Sequence, residues 1–333
     1  MSQPTSHLRR RQKPLRPGEV VEVRSAAELL GSLDSTGSLD NMPLMPEMLR
    51  FAGQRFTVSR RVDKICDTIA ATGSRRMRDT VYLEDLRCDG SGHGGCQAGC
   101  LIYWKEAWLR RVDEDADVVR LSPEAEAEAA AEVETLTVAG TRPRVDPTEE
   151  GDFWRCQATE AFRASEVLKT SNLSQYWREM RNGNFKFPRF VFLLARAFVL
   201  EVMDRVGKLR PLPLKGPGSS PPAELDLQPG ERVRVRSKEQ IAATLDENGL
   251  NRRLSFDREM LPYCGRIMRV QDRVERIIED KTGRMIKIPK DCIILEGGVC
   301  EGTRSAGRWF CPRQIYAFWR EGWVERVDEP RQA

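Results

Sequence analysis

Histidine is almost missing from this chain, with two among 333 residues, His7 and His93. An ordinary hydrolase or oxidoreductase built on several imidazoles is therefore disfavoured. Because His7 stands in the N-terminal tail, His93 is left as the candidate catalytic or metal-binding imidazole. Equally absent are a Walker loop, a GxGxxG opening a helix after a strand, a GxSxG elbow and an HExxH pair. No apolar run approaches the roughly 20 residues of a membrane span. The longest, Phe187 to Met203, is broken by Arg196 and Glu201. It predicts a buried helix, with a membrane-surface helix over 187–203 as the weaker alternative. The tail MSQPTSHLRRRQKPLRPGE has no apolar core of a secretory signal, which makes the cytoplasm the expected compartment. Charge of one sign is also scarce: 54 Lys and Arg stand against 50 Asp and Glu, for a net charge of +4. The excess sits in the tail, on Arg9, Arg10, Arg11, Lys13 and Arg16, which reads as a solvated segment. Nucleic acid is not expected as a partner.

The chain carries 40% hydrophobic and 31% charged residues, the balance of a soluble globular protein, and its length suggests two domains. An internal repeat makes that specific. Gly18 to Ile65 aligns with Gly230 to Ile277 without a gap at a constant offset of 212, and 17 of 48 positions are identical. The offset returns at DTVYLEDLRCDG (79–90) against DCIILEGGVCEG (291–302). After a three-residue insertion, CQAGCLIYWKEAWLRRVD (96–113) matches CPRQIYAFWREGWVERVD (311–328). The predicted organisation is a basic tail (1–17), repeat A (18–113), an acidic linker (114–150), a helical segment (151–210), a Pro/Gly-rich linker (211–229) and repeat B (230–328). From Asp113 to Glu150 there are twelve acids and three arginines, an exposed helix or a solvated linker.

Each copy opens with Pro-Gly-Glu and alternating valines, Val21 and Val23 or Val233 and Val235, as a half-buried strand does. Ser25 and Ser237 are placed to cap a short helix that stops near Gly37 or Gly249. Further short strands follow. Each copy is predicted to close on a helix with Trp104 and Trp108, or Trp319 and Trp323, on one face, as core or inter-domain packing. The Pro-Gly-Glu-x-Val-x-Val opening resembles the first strand of SH3-like barrels, such as those of the nitrile hydratase β subunit and of KOW modules. The full layout, with its EML-x3-G block and Cys to Trp-x3-Trp ending, resembles a family of bacterial proteins found beside biosynthetic or cell-surface gene clusters. The expected fold class is α+β: two homologous small SH3-like β-barrel domains with helical decoration, joined by a helical middle segment.

Chemistry concentrates in RCDGSGHGGCQAGC (87–100), where Cys88, His93, Cys96 and Cys100 offer four ligands within thirteen residues. Glycines between them let the loop fold back, and zinc takes such ligands in a tetrahedron. The second copy keeps Cys300 and Cys311 as counterparts of Cys88 and Cys96, lacks a histidine, and has Ile315 in place of Cys100. A metal there would have to recruit Cys264 and Cys292 from other strands. Two other readings stay open: inert buried thiols, or a reactive thiolate at Cys311, which Pro312 places at the mouth of a predicted helix. Cys156 stands apart as a poor nucleophile candidate. Glu47 and Glu259 are placed to start helices. Glu84, Glu106, Glu296 and Glu321 are repeated carboxylates that could pair with Arg24 and Arg236, or, for Glu84 and Glu106, act as acid or base.

The expected function is that of an accessory or binding protein with a structural zinc in the first repeat, serving a biosynthetic pathway through a protein or small-metabolite partner. The alternative is a metal- or thiol-dependent enzyme of specialised-metabolite biosynthesis centred on Cys88, His93, Cys96 and Cys100, for which iron or copper would also serve.

Overall fold

The computed structural model describes residues 13–70, 73–84, 86–112, 121–143, 150–169, 172–206, 214–218, 220–221, 223, 225–305 and 308–327. Most of the predicted basic tail, both ends of the acidic linker and part of the Pro/Gly-rich linker lie outside these residues. The fold is α+β, and every strand pair among the described residues is antiparallel. Two five-stranded sheets dominate. Across the first run Trp104–Lys105, Thr80–Leu83, Arg55–Arg61, Val20–Val23 and Leu109–Arg111; across the second run Tyr316–Arg320, Cys292–Val299, Ile267–Arg273, Arg232–Val235 and Val324–Arg326. Their registers correspond. Val20 faces Thr57 as Arg232 faces Arg269, and a bulge interrupts the pairing at Val58 and Arg60 as it does at Val270 and Asp272.

The valine alternation explains the first strand of each sheet. Val21, Val23, Val233 and Val235 are fully buried, while Glu22 pairs on the outside with Arg55 and Arg110. Six α-helices decorate the sheets among the described residues: α1 (Ala26–Leu30), α2 (Pro123–Gly140), α3 (Gln157–Glu160), α4 (Ser174–Asn182), α5 (Phe187–Arg205) and α6 (Lys238–Ala242). Ser25 and Ser237 cap α1 and α6 through reciprocal capping boxes with Glu28 and Gln240. Both helices are shorter than the sequence suggests; α1 ends at Leu30, with its cap at Gly31, well before Gly37 frees the chain to turn.

The tryptophan pairs do not lie on an α-helix. Trp104 is in a strand, Trp108 closes the single 3-10 turn Glu106–Trp108, and a strand follows at once. Trp319 and Trp323 repeat this arrangement. All four indoles are fully buried, and Phe256 meets both Trp319 and Trp323 edge-on at 6.1 and 5.6 Å. Both rings reach the core because positions four apart share one face of a strand, and the single 3-10 turn between them keeps that inward direction.

The segment between the sheets is integrated into them. The acidic stretch forms α2, whose Ala129, Val133 and Thr137 are buried, and Glu126 accepts a hydrogen bond from Ala26 N at 2.6 Å at the start of α1. It is thus a docked helix with one solvated face. The strand Ser165–Leu168 joins Ser74–Met77 and Lys64–Cys66 in a three-stranded sheet. Helix α5 is half-buried: Phe190, Leu193 and Ala197 pack against Trp309 and Phe310, while Phe192 and Phe198 face outward.

Replacing the buried Trp323 by Ala should cost about 3–5 kcal/mol by denaturant unfolding. The same change at exposed Trp177 should stay within about 0.5 kcal/mol.

Candidate metal centre and the two cysteine loops

Residues 86–103 form a loop between the strands Thr80–Leu83 and Trp104–Lys105, pinched by the bridge between Arg87 and Leu101. Cys88 N donates to Cys100 O at 2.8 Å. Beyond that neck the chain turns sharply: His93 N and Gly95 N both donate to Gly90 O. Gly90 has φ +73°, and a Cβ there would lie 2.2 Å from Cys96 O, so the loop crosses itself at a point only glycine fits. This crossing carries the His93 imidazole back over Cys88.

Cys88 Sγ lies 3.3 Å from His93 Nε2 and 3.4 Å from Glu47 Oε1, and His93 Nδ1 is 3.5 Å from the same carboxylate oxygen. The Glu47 and His93 side chains are 1% and 2% exposed. Glu47 Oε2 and His93 Nδ1 have no hydrogen-bond partner. Burial, reinforced by the Glu47 carboxylate, pushes the Cys88 thiol well above its ordinary range, and burial holds His93 below its own. Glu47, Cys88 and His93 could hold a metal ion, and among the described residues they are the one such group of three or more His, Cys, Asp and Glu donors. Glu47 enters from the 3-10 turn Pro46–Phe51, where its acidic position at a helix start masks the fact that its carboxylate points inward.

The cluster borders a largely enclosed cavity of about 40 Å³, also lined by Cys100, Cys156, Tyr103, Asp280 and Arg313. That volume admits a few water-sized species. Burial raises Cys100 to about 12 and raises Cys156 further still, so both are neutral thiols. Cys96 also lines the cavity but stands outside the three-donor cluster, its sulfur accepting from Ile278 N at 3.4 Å.

The second loop has the same neck and crossing. Cys300 N donates to Ile315 O at 2.8 Å, and Gly302, φ +62°, packs on the Cys311 backbone. Its carboxylate is satisfied differently: Glu259 accepts from the backbone of Thr303, Arg304 and Ser305. The remaining cysteines of this half stay apart. Cys264 follows a 3-10 turn, Cys292 is buried in the second sheet beside Asp291 and Arg320, and burial raises Cys300 to about 12.

Cys311 Sγ instead accepts from Cys66 N at 3.2 Å. This contact mirrors that of Cys96 on Ile278, since Cys66 and Ile278 are 212 residues apart in the alignment. No helix opens at Pro312; the chain runs through an irregular stretch, with Gln314 at φ +43°, into the strand Tyr316–Arg320. The predicted helix-mouth thiolate is accordingly not there. Cys311 is raised well above its ordinary range, and the thiolate belongs to Cys66, lowered to about 6 chiefly by its hydrogen bond with the Cys311 thiol and further by Arg313 and Arg308. Cys66 offers no signal in its sequence neighbourhood.

The carboxylates settle into structural roles. Exposed Glu84 accepts from Thr57 N at 3.0 Å. Glu106 pairs with buried Arg61, and Glu321 with Arg273 at 3.0 Å while accepting from Leu225, Asp226 and Leu227 N. The basic partners are Arg61 and Arg273, not Arg24 and Arg236; Arg24 pairs with Glu28. No protein-family model, curated protein or solved structure matches the chain.

The Cys66 and Cys311 pair has a defined pH signature. A folded Cys66 below its ordinary 9.0 adds stability that is complete above that value and lost as pH falls toward about 6. Cys311, raised, subtracts only above its ordinary 9.0. The stability difference between wild type and Cys66→Ser should therefore grow from about pH 6 to about pH 9, and the variant should lose one thiolate's ultraviolet absorbance near neutral pH.

Proposed function

We propose that this is a metal-binding accessory protein in which Glu47, Cys88 and His93 hold one structural zinc ion. The observation that carries this reading is the pair of partnerless buried atoms, Glu47 Oε2 and His93 Nδ1, beside a thiol. Burying such groups without partners costs free energy that a bound cation would return. Donors around a tetrahedral zinc stand about 3.3–3.6 Å apart; the unpartnered His93 Nδ1 stands 3.5 Å from Glu47 Oε1, and Cys88 Sγ stands 3.4 Å from the same carboxylate. A thiolate and a carboxylate would balance the ion's two charges, so the buried centre would be neutral. The other half supports the reading by contrast, since backbone N–H groups take the place of any cation at Glu259.

A structural role fits better than a catalytic one because the cavity is small. The ion would tie the first cysteine loop to the first sheet, leaving the outer surfaces of the two halves to a protein or small-metabolite partner. Matching strand orders and registers support a duplicated, SH3-like module as the unit. The cytoplasm, a role in a biosynthetic pathway and membership of the bacterial family named above belong to the same proposal. A metal-dependent enzyme is the second reading, favoured by the Tyr103 hydroxyl, which stands beside the cavity with Tyr82, and the cavity restricts it to substrates of a few atoms.

Purified protein should contain one zinc per chain. Cys88→Ser and His93→Ala should lose it, and Cys300→Ser should keep it. Chelation should lower the unfolding temperature, with about 2.7 kcal/mol lost relative to protein held at a hundredfold excess of zinc over Kd. Metal-free wild type with unchanged stability would sink the proposal.

A further inference from the structure

The outer face of α5 is apolar and has no partner among the described residues. The inner face is occupied by Trp309 and Phe310, and Trp309 Nε1 donates to Glu201 at 2.7 Å, which fixes the helix's rotation. Turned outward are Phe187, Phe192, Phe198, Val199 and Val202, between 41% and 70% exposed. They recur along one side of a helix of 19 residues. Contiguous apolar surface of this kind marks an interaction site.

The surrounding charge says what kind. From Ser174 to Arg205 the cations are Arg178, Arg181, Lys186, Arg189, Arg196 and Arg205 against the acids Glu179, Glu201 and Asp204; Glu179 is buried and bonded to Asn182, and Glu201 is taken up by Trp309. Trp177 stands 55% exposed on α4, with the Arg181 guanidinium 4.9 Å from its ring centroid. The N-terminal chain arrives at the same corner. Pro17 Cδ would lie 3.5 Å from a Cβ on Gly183, at the end of α4, and Lys13 and Arg16 immediately precede it.

We propose that this face docks on the surface of an anionic phospholipid bilayer, with α5 lying in the plane of the interface. The phenylalanines would enter the acyl boundary while the cations of α4 and α5 meet headgroup phosphates. No described helix is long and apolar enough to cross a membrane, so the contact is peripheral. A protein partner would need an apolar strip edged by acids; an anionic bilayer presents both layers in that order. One apolar face gives only marginal binding, and the basic corner supplies the second signal that stable attachment takes.

The test is co-sedimentation of the full-length protein with phosphatidylcholine vesicles, with and without phosphatidylglycerol, at low and high salt. Wild type should partition at least about tenfold more onto the anionic vesicles, and high salt should remove that preference. Phe192→Glu with Phe198→Glu should lower partitioning at least about tenfold. Both positions are exposed, so zinc content and unfolding temperature should be unchanged. Equal binding to both vesicle types would overturn the charge argument. No vesicle binding, or a wild-type dimer that the double variant converts to monomer, would overturn the proposal and assign the face to protein contact.

Discussion

The two halves are held by a reciprocal contact: the sulfur of Cys96 receives the N–H of Ile278, and the sulfur of Cys311 receives the N–H of Cys66. Each loop thereby finds its seat on a strand of the opposite half, and Gln97 reinforces one side by bonding the backbone of Arg273, Glu275 and Arg276. A sulfur is a weak acceptor. These contacts matter because they close a buried seam in which Ile277, Ile278 and Met285 enter the first core. The cavity, the metal candidates and the Cys66 thiolate all lie along this seam, so their geometry depends on both halves being docked.

Within that seam one backbone plan supports two electrostatic outcomes. In the first loop the glycine crossing delivers an imidazole to an inward carboxylate, and two polar atoms are left over. In the second, the same crossing delivers backbone N–H groups, and nothing is left over at Glu259. The thiols divide in the same way. Burial keeps those around the cavity protonated, whereas Arg313 and the Cys311 thiol hold Cys66 ionised.

Much of the fold was legible because it is written in local pattern. Alternating valines, the capping serines and the buried tryptophans each depend on neighbours within a few residues. The Trp-x3-Trp spacing misled because an interval of four fits an α-helix and also a strand interrupted by one tight turn. The acidic stretch read as solvated because its alanines, which pack well on α1, carry little hydrophobic signal. Of the centre, Cys88 and His93 were legible from the loop, while Glu47 was not: it lies 41 residues from Cys88 and its only mark was a helix-start position. Cys66 and Cys311, 245 residues apart, are brought together by docking that no spacing encodes.

The crossed seating has a consequence for the order in which the molecule is made. On the ribosome Cys96 emerges 182 residues before Ile278, the residue that covers it. At translation rates of about 5–20 residues per second, that interval is roughly ten to forty seconds. During it the first loop, with His93 and its thiols, stands open to whatever ions the surrounding fluid contains. An ion held by Glu47, Cys88 and His93, as proposed above, would enter before closure, with the second half, arriving last, as the stopper.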